Sequence, residues 1–284
     1  VTPQPPQTGP TRRRTRITDE ETARRMLDTA THTVEHTGLT VSLDHLSLEQ
    51  IIRDAGVARS AVYRRWPYKD LFFSDLLREL AKATNPTTTA TDPTATRTAT
   101  HTLLTSLTWA RNPHQRRALA AEALRTGALG EYDLFHRSPA WRTYLALQAT
   151  FRSLPDGDLR TDVQQALTDA EHTMITGLAT TYTHMARLLG LRPHPGITYE
   201  TIARLAVATL RGLILMTPAN PELTTHRFPA NPFGAPEPAE WTEPALAIAT
   251  VVVGLLEPDP DLTWTDEHER AAEHALRTGQ WRET

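Results

Sequence analysis

Between Ser47 and Lys69 the chain carries side chains suited to gripping a polyanion: Arg59, Ser60, Tyr63, Arg64, Arg65, Tyr68 and Lys69. They offer hydrogen bonds and ion pairs, not bond breaking. An arginine fork pairs with guanine O6 and N7, or with a phosphate. For Arg59, Ser60 and Arg64 a base edge and a phosphate are both open. Ala61 is suited to a thymine methyl, and Arg65 to the DNA backbone or merely to the surface. Tyr63 ends a rigid ring in a hydroxyl. Lys69 adds charge to a helix N-terminus, an end that already attracts anions, so both are expected on phosphates. Ser47 and Tyr68 complete the set.

The elements that must hold these residues are short. Ser47, with Gln50 three residues later, is a capping-box start. Leu48, Ile51, Ile52 and Ala55 then give a buried helical stripe. Gly56 supplies the residue that ends a helix at positive φ. Val57 turns back to the core, and a second helix begins near Ala58 with Val62 and Trp66 inward. Pro67 stops it. Two short helices joined by a tight turn are the sequence shape of a helix-turn-helix lying in the major groove of DNA.

The run AGVARSAVYRRWPYKDLF resembles the TetR/AcrR family of bacterial transcriptional repressors. The family pattern is met at Ile51, Ala55, Gly56, Val57, Val62, Tyr63, Arg64, Trp66, Lys69, Asp70 and Leu71. Ala58 replaces the usual Ser and so removes an N-cap. Ala61 replaces Thr and so removes a polar group, and Tyr68 replaces Ser or Asn. The loop from Gly38 to Ser47 is about four residues longer than the family's. The resemblance spans roughly Thr18 to Leu80. It implies a homodimer on a palindromic double-stranded DNA operator, released by a small-molecule effector.

Composition sets the bounds. The 284 residues are 39% hydrophobic, contain no cysteine and carry a net charge of −3. Absent cysteine excludes disulfides and thiolate zinc sites and fits a cytoplasmic location. Residues 1–83 hold 13 of the 30 Lys+Arg and 11 of the 33 Asp+Glu, leaving 17 against 22 in the remainder. Positive charge gathers in the second motif helix and in a polar N-terminal arm, where Arg12, Arg13 and Arg14 are further candidates for DNA contact. The arm does not read as a signal peptide. Val1 in place of Met is read as an alternative start codon. The longest apolar run, Ala245 to Leu256, is too short to span a bilayer, so no membrane partner is expected.

The expected fold is all-α: a disordered basic arm over residues 1–16, a three-helix DNA-binding domain with a connecting helix over 17–83, and a helical ligand-binding and dimerisation domain over 84–284. A first helix has Ala23, Met26, Leu27, Ala30 and Val34 on its buried face. The connecting helix from about Lys69 has Leu71, Phe72, Leu76, Leu77 and Leu80. Residues Thr84–Thr98 read as a linker. Helices follow over Ala99–Ala110, Pro113–Thr126, Pro139–Ser153, Leu159–Leu189, Tyr199–Met216, Glu243–Leu256 and Thr265–Arg277, with no strand. Tyr199–Met216 carries Ile202, Leu205, Ala206, Leu210, Leu213 and Ile214. Glu243–Leu256 is apolar on every side and needs cover all round. A partner subunit meets that need, as the resemblance implies for the last two core helices; a fully buried core helix meets it too. The proline-rich stretch Thr217–Thr242 is long for a helix connection. It is either disordered or embraces a partner.

Trp109, Trp141, Tyr144 and Gln148 are the candidates for an effector site, as aromatic walls with polar anchors. His32, Glu35 and His36 spell an inverted zinc-protease motif, but zinc also requires a third ligand and a pocket, and a solvated helix face is the better reading. No catalytic group, metal or cofactor is expected. The alternatives are a ligand-independent DNA-binding regulator and, more remotely, an all-α enzyme.

Overall fold

The computed structural model describes residues 17–37, 46–83 and 93–279. Eleven α-helices dominate it: α1 (Asp19–Thr37), α2 (Leu48–Asp54), α3 (Arg59–Arg65), α4 (Lys69–Ala83), α5 (Pro93–Ser106), α6 (Pro113–Arg137), α7 (Pro139–Phe151), α8 (Asp158–Leu188), α9 (Tyr199–Met216), α10 (Glu243–Gly254) and α11 (Asp266–Thr278). The basic arm and most of the Gly38–Ser47 loop lie outside the described residues. None of the described helices is long and apolar enough to cross a membrane.

Local chemistry explains most helix starts. Thr18 Oγ1 accepts from Glu21 N at 3.1 Å, and Ser47 Oγ from Gln50 N at 3.3 Å. In neither is the reciprocal half of a capping box made. Gln50 donates instead to Asp54 (2.7 Å), and Glu21 accepts from Arg24 and Arg25, because a helical partner one turn on competes with the cap. Asn112, Ser138, Thr198, Thr242 and Thr265 cap α6, α7, α9, α10 and α11 with side-chain oxygens. Ala58, in the N-cap place of α3, has no side-chain oxygen to accept a bond.

Two apolar cores form. The smaller joins Met26, Ala30 and Val34 of α1, Ile51 and Ile52 of α2, Val62 and Trp66 at α3, and Phe72, Phe73, Leu76, Leu77 and Leu80 of α4. It also takes in Ala146 and Leu147 of α7 and Val163 of α8. Leu71, expected in this core, is 47% exposed and Phe73 takes its place. At about 100° per residue the stripe 72, 73, 76, 77, 80 covers one side of α4 and leaves position 71 on the opposite side. The larger core gathers α5 to α11 around Leu119, Trp141, Ile202, Leu210, Ile248 and Val253.

Several boundaries differ from those expected. α5 begins at Pro93, inside the expected linker. Its predicted end at Ala110 is a 3-10 turn over Leu107–Arg111. α6 runs past Thr126 through Gly127 and Gly130 to Arg137. Glycine in a helix costs about 1 kcal/mol, and burial of Tyr132 and Phe135 on the next turns offsets it.

Strands, not expected at all, occur as two antiparallel ribbons. β1 (Leu191–Pro193) pairs with β4 (Leu256–Pro258), and β2 (Phe228–Ala230) with β3 (Ala239–Trp241). Three residues are too few for alternation to register. The second ribbon lies in the proline-rich stretch, which folds back on its own core. Trp241 is 1% exposed, and Arg125 of α6 donates to the Glu240 carbonyl at 3.0 Å.

Candidate nucleic-acid interface

α3 is positioned from within. Gly56 turns the chain at φ 63°, and Val62 and Trp66 anchor the helix in the small core at 0% and 2% exposure. Trp66 Nε1 donates to Asp75 on α4 at 2.9 Å, and its ring meets Phe72 edge-on at 5.1 Å between centroids. With that face buried, Arg59, Ser60, Tyr63, Arg64 and Arg65 are all exposed, and Ala61 is half-buried. Arg59 and Tyr63 stand one turn apart, as do Ser60 and Arg64, so they share the outer face. Tyr68 and Lys69 continue it at the start of α4. Tyr68 is 73% exposed, and Lys69 Nζ sits 4.9 Å over the Phe73 ring. Ser47 is occupied as the α2 cap. Arg12, Arg13 and Arg14 lie outside the described residues.

Two carboxylates that the sequence did not single out hold this face. Glu49 of α2 pairs with the Arg59 guanidinium and accepts from Tyr63 Oη at 3.0 Å. Asp19, the first residue of α1, takes Arg64 through both Nε and Nη2. The Arg59 bond holds the Glu49 carboxyl below its ordinary value, and the same bonds raise the Arg59 and Arg64 guanidinium values further. Glu49 is ten residues from Arg59 and across a turn; Asp19 is 45 residues from Arg64. Neither pairing has a periodic signature. All four groups are open to solvent, so the pairs contribute little to stability. Their effect is on where the arginines point.

Below this face a polar chain leads across the surface from α4 to α8. Asp75, besides Trp66, accepts from Arg78 Nη1 at 2.9 Å. Arg78 Nε donates across to Asp162 of α8 at 2.8 Å. Beside that bridge lies a groove of about 600 Å³ between α4 and α8, lined by Arg78, Lys82, Asp162, Gln165, Asp169 and Thr173 among others.

The four effector candidates do not line this groove. Trp141 and Tyr144 are brought together in the interior of the larger core, 1% and 0% exposed, with ring centroids 5.8 Å apart. Trp141 also packs on Phe135 at 4.3 Å. Tyr144 Oη donates to Glu171 at 2.6 Å, and Arg211 reaches both Glu171 (2.6 Å) and Tyr144 (3.2 Å). Burial, then the Glu171 bond, push the Tyr144 phenol well above its ordinary value, so it acts as a neutral donor. Trp109 lies half-buried in the 3-10 turn after α5, and Gln148 one turn beyond Tyr144 on α7. His36 Nδ1 is bonded to the His32 carbonyl at 2.8 Å, and the two rings meet edge-on at 4.2 Å between centroids. Among the described residues no three His, Asp or Glu side chains are gathered as a metal ion would need.

The apolar surface of the larger body is uneven. α10 buries Ala245, Ile248, Ala249, Val252 and Val253 and leaves Leu246, Val251 and Leu255 half-covered. On α9, Ile202, Ala206, Leu210 and Ile214 are buried and Leu213 half-buried. Leu205 is 46% exposed, joined by Leu215 (64%) and Met216 (51%).

Compared with protein-family models, with curated proteins and with solved structures, the chain matches none.

Proposed function

We propose that this protein is a DNA-binding transcriptional regulator whose contacts with DNA are made by α3 and the start of α4. The observation that carries this is the division of α3: Val62 and Trp66 are locked in a core, while every cationic and hydroxyl-bearing residue of the helix faces outward. The outer face concentrates three arginines, a serine and a tyrosine on seven residues with no acidic residue among them, a set of donors suited to phosphates and base edges. Its arginines match the donor pattern that duplex DNA recognises. The test is selection from a random duplex library with the purified full chain. Recovery of one palindromic consensus, with binding that weakens steeply with salt, supports the reading. Recovery of no preferred sequence defeats it.

In this reading the molecule is a homodimer that acts as a repressor. The exposed leucines of α9 and the half-covered valine and leucines of α10 supply an apolar strip for a second copy. A small effector releases the dimer from its operator. The groove between α4 and α8 is where a ligand would bear on the bridge that joins the small core's last helix to the larger body. No catalytic role is assigned to any residue.

A further inference from the structure

Glu49 sits where a DNA-binding surface would be expected to avoid negative charge. It is half-exposed, and its charged and polar neighbours are Arg53, Arg59 and Tyr63. Yet its carboxylate holds two α3 side chains at once: the Arg59 guanidinium, through Nη2, and the Tyr63 hydroxyl at 3.0 Å. These are one helical turn apart on the outer face.

We propose that Glu49 is a specificity-determining positioning residue, aiming Arg59 at a base edge and penalising its use on phosphate. The inference rests on the DNA-binding reading above. Arginine carries five donors in a rigid fork. A carboxylate on one of them leaves the rest for an acceptor in front, and it removes part of the rotamer freedom that would otherwise be lost on binding. If Arg59 swung to a phosphate instead, it would leave Glu49 bare beside a polyanion, an unfavourable like-charge approach. A base contact keeps the pair intact; a backbone contact breaks it. Glu49 thus lowers affinity for arbitrary DNA more than for the right sequence. Asp19 differs, because it takes Arg64 by two donors and leaves less of that fork for DNA.

The experiment compares wild-type, Glu49→Asp, Glu49→Gln and Asp54→Asn on three duplexes: the one selected by wild-type protein, its single-base variants, and a random-sequence duplex. Asp54→Asn removes the same charge from the same helix, where the partner is Gln50 and no α3 arginine. Glu49→Asp keeps the charge but withdraws the carboxylate by one methylene. Both Glu49 variants are expected to lose discrimination at one base position by roughly fivefold or more. Glu49→Gln should also bind random DNA more tightly, with a salt slope steeper by about 0.9 for the one phosphate that Arg59 then neutralises. Asp54→Asn should keep full discrimination. Unchanged discrimination in Glu49→Asp and Glu49→Gln overturns the proposal, as does an equal loss in Asp54→Asn. Wild-type protein that selects no sequence defeats the DNA-binding reading instead, so the two failures are distinct.

Discussion

Arg78 Nε on α4 donates to Asp162 on α8 at 2.8 Å, the polar bridge beside the apolar seam between the small core and the larger body. Through Asp75 it also touches Trp66, the residue that ends the exposed helix. Asp162→Asn should therefore alter how α3 is presented without unfolding anything. The pair is partly exposed, at 27% and 51% for the two side chains, so the stability cost is under about 1 kcal/mol. Affinity for a full palindrome is expected to drop roughly fivefold, while an isolated half-site binds as before. An equal drop on the half-site would mean that the bridge only supports local folding.

On the outer face, phosphate and base contacts separate by their sequence dependence. Lys69→Ala is expected to weaken binding similarly on all duplexes, since phosphates carry no base information. Arg59→Ala or Arg64→Ala should relax preference at one position, by roughly 5- to 150-fold. Titration against a panel of single-base variants decides, and a uniform loss places the arginine on phosphate.

The basic arm makes a separate claim. Deleting residues 1–16, with Arg12, Arg13, Arg14 and Arg16, should flatten the slope of log K against log salt by roughly 0.9 for each phosphate that the arm neutralises. An unchanged slope leaves the arm without a role on DNA.

The α9 strip predicts the oligomeric state. Leu205→Glu with Met216→Glu places two charges on exposed positions aligned three turns apart on α9, where burial against a second copy would be costly. Sedimentation should show a dimer for the wild-type chain and a folded monomer for the double variant, with palindrome binding abolished. A double variant that stays dimeric puts the interface elsewhere.

Leu147 belongs by chain position to the larger body but is buried, at 1% exposure, in the core of α1 to α4. Leu147→Ala is expected to destabilise that core by about 2–5 kcal/mol. In thermal unfolding the α1–α4 helices should then melt at lower temperature, followed by hydrogen exchange at Val62 and Leu76 amides. Unaltered protection at those amides would show that the small core stands without α7.

The sequence alone determined what depends on near neighbours. The α2–turn–α3 boundaries follow from Ser47, Gly56, Val62, Trp66 and Pro67, all within a few residues of the features they control. α9 was legible to the residue, and α7, α8 and α11 to within two, because caps and apolar spacing are written locally. Only the tertiary structure decided what depends on distant chain. β1 meets β4 across 65 residues in the Arg192–Glu257 pair. The small core borrows Ala146, Leu147 and Val163 from helices assigned to the other domain. α6 continues through two glycines because its later turns are buried, and Leu71 faces out because the buried stripe of α4 lies on the opposite side of the helix. The outward arginines were visible in the sequence, but Glu49 and Asp19, which hold them, were not. A helix repeats every 3.6 residues and so writes itself into the chain; an ion pair between helices has no period, and exists only once packing has brought its two charges together.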